Sequence, residues 1–222
     1  VRQTSSSLQF RSLHCSLLRR ADSCISITMR AGFILAAVAA VSIADTALAA
    51  PACPNATTVD TVELPHYLGR WYEIASNEAF KQGFEKGLEC TTANYSMNAD
   101  GTIKVVNGGR VGSPTGKLSQ AVGKAKQVKG GKLEVSFFGP FYGPYWITQL
   151  YGEASAGYEV SVVYSCSSSL FGEIRDMWIL SRTPKLPAAL PLDGLYAKAK
   201  GMGIDVAALN MTLTTQTSTC IY

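Results

Sequence analysis

From Arg70 onward the chain repeats one pattern, a short run of alternating apolar and polar residues followed by Gly, Asn, Asp or Pro. In KLEVSFF (132–138), Leu133, Val135 and Phe137 fall on one side, with Glu134 and Ser136 on the other. In YEVSVVY (158–164), Tyr158, Val160, Val162 and Tyr164 oppose Glu159 and Ser161. A period of two marks a strand with one buried face. The same reading gives strands at 70–78, 90–97, 102–111, 119–128, 145–151 and 175–182. Asn98-Ala99-Asp100-Gly101 and Lys129-Gly130-Gly131 supply the residues that tolerate positive φ in hairpin turns. Eight sequential antiparallel strands predict an all-β, eight-stranded up-and-down barrel. Such a barrel has no sheet edges and at this size holds one small ligand. A sandwich is the competing arrangement.

The pattern changes after Pro184 and Pro187. AALPLDGLYAKAKGMG (188–203) puts Leu192, Leu195, Tyr196 and Ala199 on one stripe. This predicts one C-terminal α-helix packed outside the barrel. Pro191 fits only its first turn, and Gly201 and Gly203 end it. LNMTLTTQ (209–216) predicts a short ninth strand.

The first 49 residues have a different character. Met29-Arg30, the apolar run Ala31 to Ile43 and the small residues Ala47-Leu48-Ala49 read as a secretory signal peptide over 29–49. That run is too short for the ~20 residues a membrane span needs. Residues 1–28 are Arg- and Ser-rich and lie outside the fold. They read as upstream sequence, the favoured choice, or as a transit-like segment. The first location is secreted, the second the thylakoid lumen. The single domain expected is 50–222.

Removing this leader changes the charge argument. The 222-residue chain has 20 basic and 16 acidic residues. The leader holds five Arg and two Asp, which leaves 15 against 14. No electrostatic surface for nucleic acid follows from that balance. Four cysteines remain, Cys53, Cys90, Cys166 and Cys220, and behind a signal peptide an even number implies disulfides. They allow three connectivities, and spacing does not choose among them. Asn55, Asn94 and Asn210 head three sequons and are glycosylation candidates.

Catalytic equipment is sparse. The only His after the leader is His66, which disfavours Ser-His-Asp and Cys-His catalysis. The scattered cysteines offer no metal site, and no Gly-rich phosphate loop suggests a cofactor. The expectation is no enzyme, no metal and no cofactor.

Gly69-Arg70-Trp71-Tyr72-Glu73, ANYS (93–96), KLEV (132–135), PYWIT (144–148), VVYSC (162–166) and MWILSRTPKLP (177–187) occur in one order. With that order the chain resembles the lipocalin family, in its apolipoprotein D-like and bacterial outer-membrane branch. Arg182 matches the family's third motif. The second reads Gln149-Leu150-Tyr151, with a longer loop after it. The resemblance implies a barrel-floor cluster of Gly69, Trp71 and Arg182, with the guanidinium across the indole. It implies disulfides Cys53–Cys166 and Cys90–Cys220; a lipid-anchored Cys53 is the disfavoured alternative.

Strand parity combined with the family's pocket gives Tyr95, Asn107, Val135, Phe137, Tyr145, Tyr164 and Trp178 as ligand-binding candidates, with Trp146 facing out. The function implied is a carrier for a small hydrophobic ligand: a fatty acid or lysolipid, sterol, retinoid, carotenoid or bilin. The rivals are a lipid or carotenoid isomerase or de-epoxidase on the same fold, and an interaction module of a pigment or lipid complex. The loops 138–144 and 167–173 are expected to cap the mouth or fold over each other. Leu170 and Phe171 offer a peripheral contact with membrane or lipoprotein. A monomer or weak dimer is expected.

Overall fold

The computed structural model describes residues 53–169 and 172–222. The leader and the Leu170-Phe171 pair therefore lie outside the described residues. The elements run α1 (Leu64–Tyr67), β1 (Gly69–Asn77), α2 (Glu78–Gln82), β2 (Leu88–Met97), β3 (Ile103–Val111), β4 (Leu118–Lys129), β5 (Lys132–Phe138), β6 (Phe141–Tyr151), β7 (Val160–Ser169), β8 (Gly172–Ser181), α3 (Leu192–Gly201), α4 (Val206–Leu209) and β9 (Met211–Leu213). Strands β2 to β8 pair in sequence, β8 pairs with β1, and β1 pairs back with β2. All pairings are antiparallel, so the sheet closes into an eight-stranded up-and-down barrel. Where β2 parts from β1 beyond Tyr72, β9 takes over that edge against Ala75–Asn77.

The two turns read from glycine and asparagine join β2 to β3 and β4 to β5. Gly130 has φ +51°, and a Cβ there would collide with the backbone of Asp60. The segment before α1 crosses this turn, with Val59 N–H donating to Ile147 O and Gly131 N–H to Val59 O. Two hairpins reach further than alternation alone suggested. Only Gly139 and Pro140 separate β5 from β6, so most of 138–144 is strand rather than a capping loop.

Alternation sorts the apolar residues into two cores. Inside the barrel lie Trp71, Ala93, Tyr95, Ile103, Val105, Leu133, Val163 and Leu180. Outside it, Val160, Val162, Tyr164, Cys166, Met177 and Ile179 pack under Leu195 and Ala199 of α3. Tyr164 therefore does not line the pocket. It shares the outward face of β7 with Val160 and Val162 and is buried in the outer core. Trp146 also packs on this outer core. The helix is shorter than expected, because Pro191 is its N-cap and 188–190 form a turn. The remaining helices, of four or five residues, are too short to show a period in sequence.

The floor closes around Trp71, which is completely buried. Its indole Nε1–H donates to Tyr67 O at 2.8 Å. The Arg182 guanidinium lies 3.8 Å from the ring centroid, a cation–π contact. It also donates to the carbonyls of Tyr158, Arg70, His66 and Leu68 at 2.7–3.2 Å. Gly69 sits at φ +91°, where a Cβ would lie 3.5 Å from Arg182 Nη1. Cys53 is bonded to Cys166 and Cys90 to Cys220, with Cα separations of 5.7 and 5.6 Å. These bonds tie the first and last described segments to the wall.

Replacing Arg182 by Ala uncovers the indole and strands four carbonyls. The expected loss is about 2–4 kcal/mol of stability in chemical denaturation, with ligand affinity little changed. A variant whose affinity falls while its stability holds would contradict this placement.

Candidate functional site

The lumen is built on three phenols. α1 delivers Tyr67, β2 Tyr95 and β6 Tyr145. Their hydroxyls form a chain, Tyr95 to Tyr145 at 2.9 Å, Tyr145 to Tyr67 at 2.9 Å and Tyr67 to Ser161 at 3.0 Å. Burial pushes the Tyr67 phenol up to about 12 and raises Tyr95 and Tyr145 as well, so all three stay protonated. With Ile103, Val105, Ala125, Leu133 and Val135 they line an apolar cavity of about 20 Å³. That holds about one water, so a larger guest needs side chains to move.

Nearer the mouth the lining gains polar atoms. Asn107 shares the inward face of β3 with Ile103 and Val105 and lies opposite Ala93. Its Oδ1 is buried and has no hydrogen-bond partner. Thr91 Oγ1 is in the same condition, on the face of β2 that carries Ala93 and Tyr95. Phe137 packs over Gly123, where a Cβ would come within 2.8 Å of the ring. Trp178 is partly buried against the inner core, and Phe80 of α2 meets it edge-on at 5.0 Å.

α2 lies across this end and is fastened by charge. Lys81 Nζ donates to Glu85 Oε2 at 2.7 Å, to Thr214 Oγ1 at 2.8 Å and to Glu73 Oε1. Ser76 and Thr214 hydroxyls also donate to Glu73. The three charged side chains are only 4–11% exposed. Burial, then the neighbouring Glu73 charge, raises the Glu85 carboxyl to about 8. Burial works to lower the Lys81 ammonium, but its interactions with Glu73 and Glu85 raise it on balance. The ammonium is thereby held charged between the two acids, and near neutral pH the Glu85 carboxyl keeps its proton.

Of the residues singled out from sequence, Tyr95, Val135 and Tyr145 line the cavity, Phe137 and Trp178 pack against the inner core, and Asn107 faces the lumen. Tyr164 does not join them. Sequence reasoning missed Tyr67, Thr91 and Phe80, and left Ile103 and Val105 unused although their parity with Asn107 was visible. Asn55 and Asn210 are exposed, and Asn94 faces outward with its Oδ1 accepting from Arg70 Nε at 3.3 Å.

The sequence profile of a family described as a lipocalin-like domain matches residues 62–214. The chain belongs to the lipocalin family. Among its lipocalin relatives, the outer membrane lipoprotein Blc of Vibrio cholerae is 38% identical over 154 residues, 68% of this chain and 82% of that protein. Mouse apolipoprotein D is 38% identical over 169 residues, 72% of this chain and 81% of that protein. Insecticyanin of the tobacco hornworm Manduca sexta superposes with a TM-score of 0.59 at 20% identity, over 78% of this chain and 91% of its own. Lobster apocrustacyanin A1 gives a TM-score of 0.55 at 22% identity, over 71% and 82%. At such identities the structural likeness establishes the lipocalin fold alone. The two disulfides suit an oxidising setting, extracellular or periplasmic.

The raised Glu85 carboxyl makes this lipocalin's stability pH-dependent. In the unfolded chain the group titrates near 4.5, and in the fold near 8. Between those values the unfolded state holds fewer protons, so stability falls as pH rises through the window and levels off above it. Glu85→Gln is expected to remove that slope. Urea denaturation at pH 5 and pH 8.5 should show the wild type losing more stability than the variant; equal losses would exclude Glu85 as the source.

Proposed function

We propose that this lipocalin is a secreted carrier, its domain spanning 50–222 behind the signal peptide at 29–49. It binds, without covalent chemistry, a small and mostly apolar molecule with one polar group. The observation that carries this reading is the lumen itself. Aromatic and aliphatic side chains surround it, and one buried acceptor, Asn107 Oδ1, lacks a donor. An unsatisfied buried acceptor costs about 1–3 kcal/mol, which a ligand O–H or N–H recovers. Thr91 Oγ1, also unpartnered, both donates and accepts. A hydroxyl complements this pair better than an ionised carboxylate, which has no proton to give. Within the hydrophobic classes the family resemblance implies, this favours a sterol, a retinoid alcohol or a lysolipid over an ionised fatty acid. A carotenoid fits if it is hydroxylated.

Binding enlarges the small cavity by moving side chains above it, chiefly Phe80, Phe137 and Trp178. The rival reading as a thiol-dependent isomerase loses its nucleophile, because all four described cysteines are in disulfides.

Retinol, followed by its fluorescence, serves as the test ligand. Asn107→Leu is expected to weaken it about tenfold, one good hydrogen bond, and to leave diphenylhexatriene, a hydrocarbon probe, nearly unaffected. Trp178→Ala is expected to weaken both. If neither variant shifts either affinity, the lumen is not the binding site.

A further inference from the structure

We propose that the barrel has a second way in, through its side, and that the Cys90–Cys220 disulfide is the lock on it. The seam between β1 and β2 is incomplete. β1 pairs with β2 only from Gly69 to Tyr72, against Thr92–Tyr95. Beyond Tyr72, β1 runs on to Asn77 and β2 reaches back to Leu88, with no ladder between them. The C-terminal segment fills that gap. β9 pairs with Ala75–Asn77, and Thr214 N–H donates to Ile74 O at 2.9 Å. On the other side, Cys90 N–H donates to Thr215 O at 2.9 Å. The Gln216 side chain spans both edges, its Nε2 donating to Glu73 O at 2.9 Å and to Thr91 O at 2.7 Å. Behind the seam lies the lumen. Thr214 Oγ1 reaches the buried Glu73–Lys81 pair, and Thr91 shares the inward face of Ala93 and Tyr95.

The filling is lightly held. Leu213, Ile221 and Tyr222 are exposed, so the segment buries little apolar surface. It is held chiefly by hydrogen bonds near solvent, where water competes for each partner. Past Gln216, Arg110 Nε–H donates to Ile221 O at 2.6 Å, and the Tyr222 hydroxyl donates to Gln216 Oε1 at 2.6 Å. The disulfide keeps these groups together, because it joins positions 130 residues apart at the seam itself. Cys90 also stands at φ +56°, in the left-handed region, where the β2–β3 register shifts between Glu89 and Thr92. Cutting the bond therefore frees both the segment and the edge it lies on. The other disulfide has no such place. Cys166 lies on β7, whose ladder with β8 runs unbroken from Val160 to Ser169.

The unlocking reaction is thiol–disulfide exchange with a dithiol reductant. Cys90 is only 2% exposed and Cys220 is half-buried, so the reductant's thiolate attacks Cys220 Sγ. A mixed disulfide forms there, the Cys90–Cys220 bond breaks, and Cys90 leaves as a thiolate. The reductant's second thiolate then displaces Cys220 and closes the reductant into its own disulfide. Two electrons pass to the protein, and the two protons given up by the dithiol end on Cys90 and Cys220. A carrier locked in an oxidising setting is thereby opened in a reducing one, where its guest exchanges faster. That consequence rests on the lumen being the binding site; the opening of the seam does not.

The oxidised full chain is compared with the same protein held in dithiothreitol. Hydrogen exchange reads the seam without a guest. Reduction is expected to speed exchange of the Cys90 and Thr214 amides at least about tenfold, and to leave the ladder around Val160–Tyr164 protected. Entry of diphenylhexatriene, followed by its fluorescence, is expected to quicken by a similar factor. Cys90→Ala with Cys220→Ala should show the open state without reductant and respond to it no further. Cys53→Ala with Cys166→Ala should stay shut until dithiothreitol is added. Unchanged exchange at Cys90 and Thr214 would overturn the proposal, and so would exchange quickened all around the barrel, which is general loosening. A seam that opens while probe entry stays the same would remove the side entrance. Failure of the carrier reading looks different: probe affinity is then indifferent to Trp178→Ala, and the exchange data alone decide the lock.

Discussion

A barrel wall satisfies its own hydrogen bonds, but the backbone that enters it does not. Here the entering segment brings the carbonyls of His66, Leu68 and Arg70 to the closed end, and the β6–β7 connection brings that of Tyr158. One guanidinium, Arg182, gathers all four and covers the indole of Trp71. Arg suits this work because its planar fork presents several donors at fixed angles while its face stacks on a ring. Lys would supply a point charge and no plane. The consequence runs upward from the floor. Trp71 bonds to Tyr67 O, and Tyr67 is thereby fixed at the base of the lumen. Its hydroxyl then bonds Tyr145, and Tyr145 bonds Tyr95. The base of the pocket is thus an extension of the floor.

The mouth is held by a different kind of force. Lys81 fastens α2 through the buried carboxyl groups of Glu73 and Glu85, and charge buried in this way loses hydration that pairing only partly returns. A latch of this type specifies a position more than it stabilises one. The Cys90–Cys220 bond anchors the C-terminal segment that supplies Thr214, and Thr214 N–H donates to Ile74 O. The latch therefore joins residues 73–85 to Thr214, far along the chain. A floor and a mouth fastened separately suit a small cavity that must enlarge for a guest.

These two ends differ in how far the sequence revealed them. The strands were legible because alternation is local, and so was the helix at 192–201, through its stripe and its proline. Tyr164 was misplaced because an aromatic on a barrel strand has two apolar destinations, the lumen and the space beneath α3. Strict alternation with Val160 and Val162 tied it to that pair, and nothing local reveals that the outer face is covered. The reverse holds for Asn107. Parity with Ile103 and Val105 put it inside, but its lack of a partner is a property of the assembled wall. The Lys81 latch was invisible, since Glu73 and Thr214 are 141 positions apart. Tyr67 lies four residues before Trp71 and was passed over because a four-residue helix leaves no periodic trace.

The exposed phenylalanines at the mouth have no role in holding the barrel together. Phe141 is 80% exposed and Phe138 71%, so neither buries enough surface to aid the fold. A hairpin turn made by Gly139 and Pro140 is formed as readily between polar neighbours. Apolar tips also carry a cost, since they favour association and aggregation. At the floor, among the described residues, large apolar exposure is reduced to Met97 and Val128. A feature that contributes little to stability and carries a cost in solubility is not explained by the needs of the fold alone.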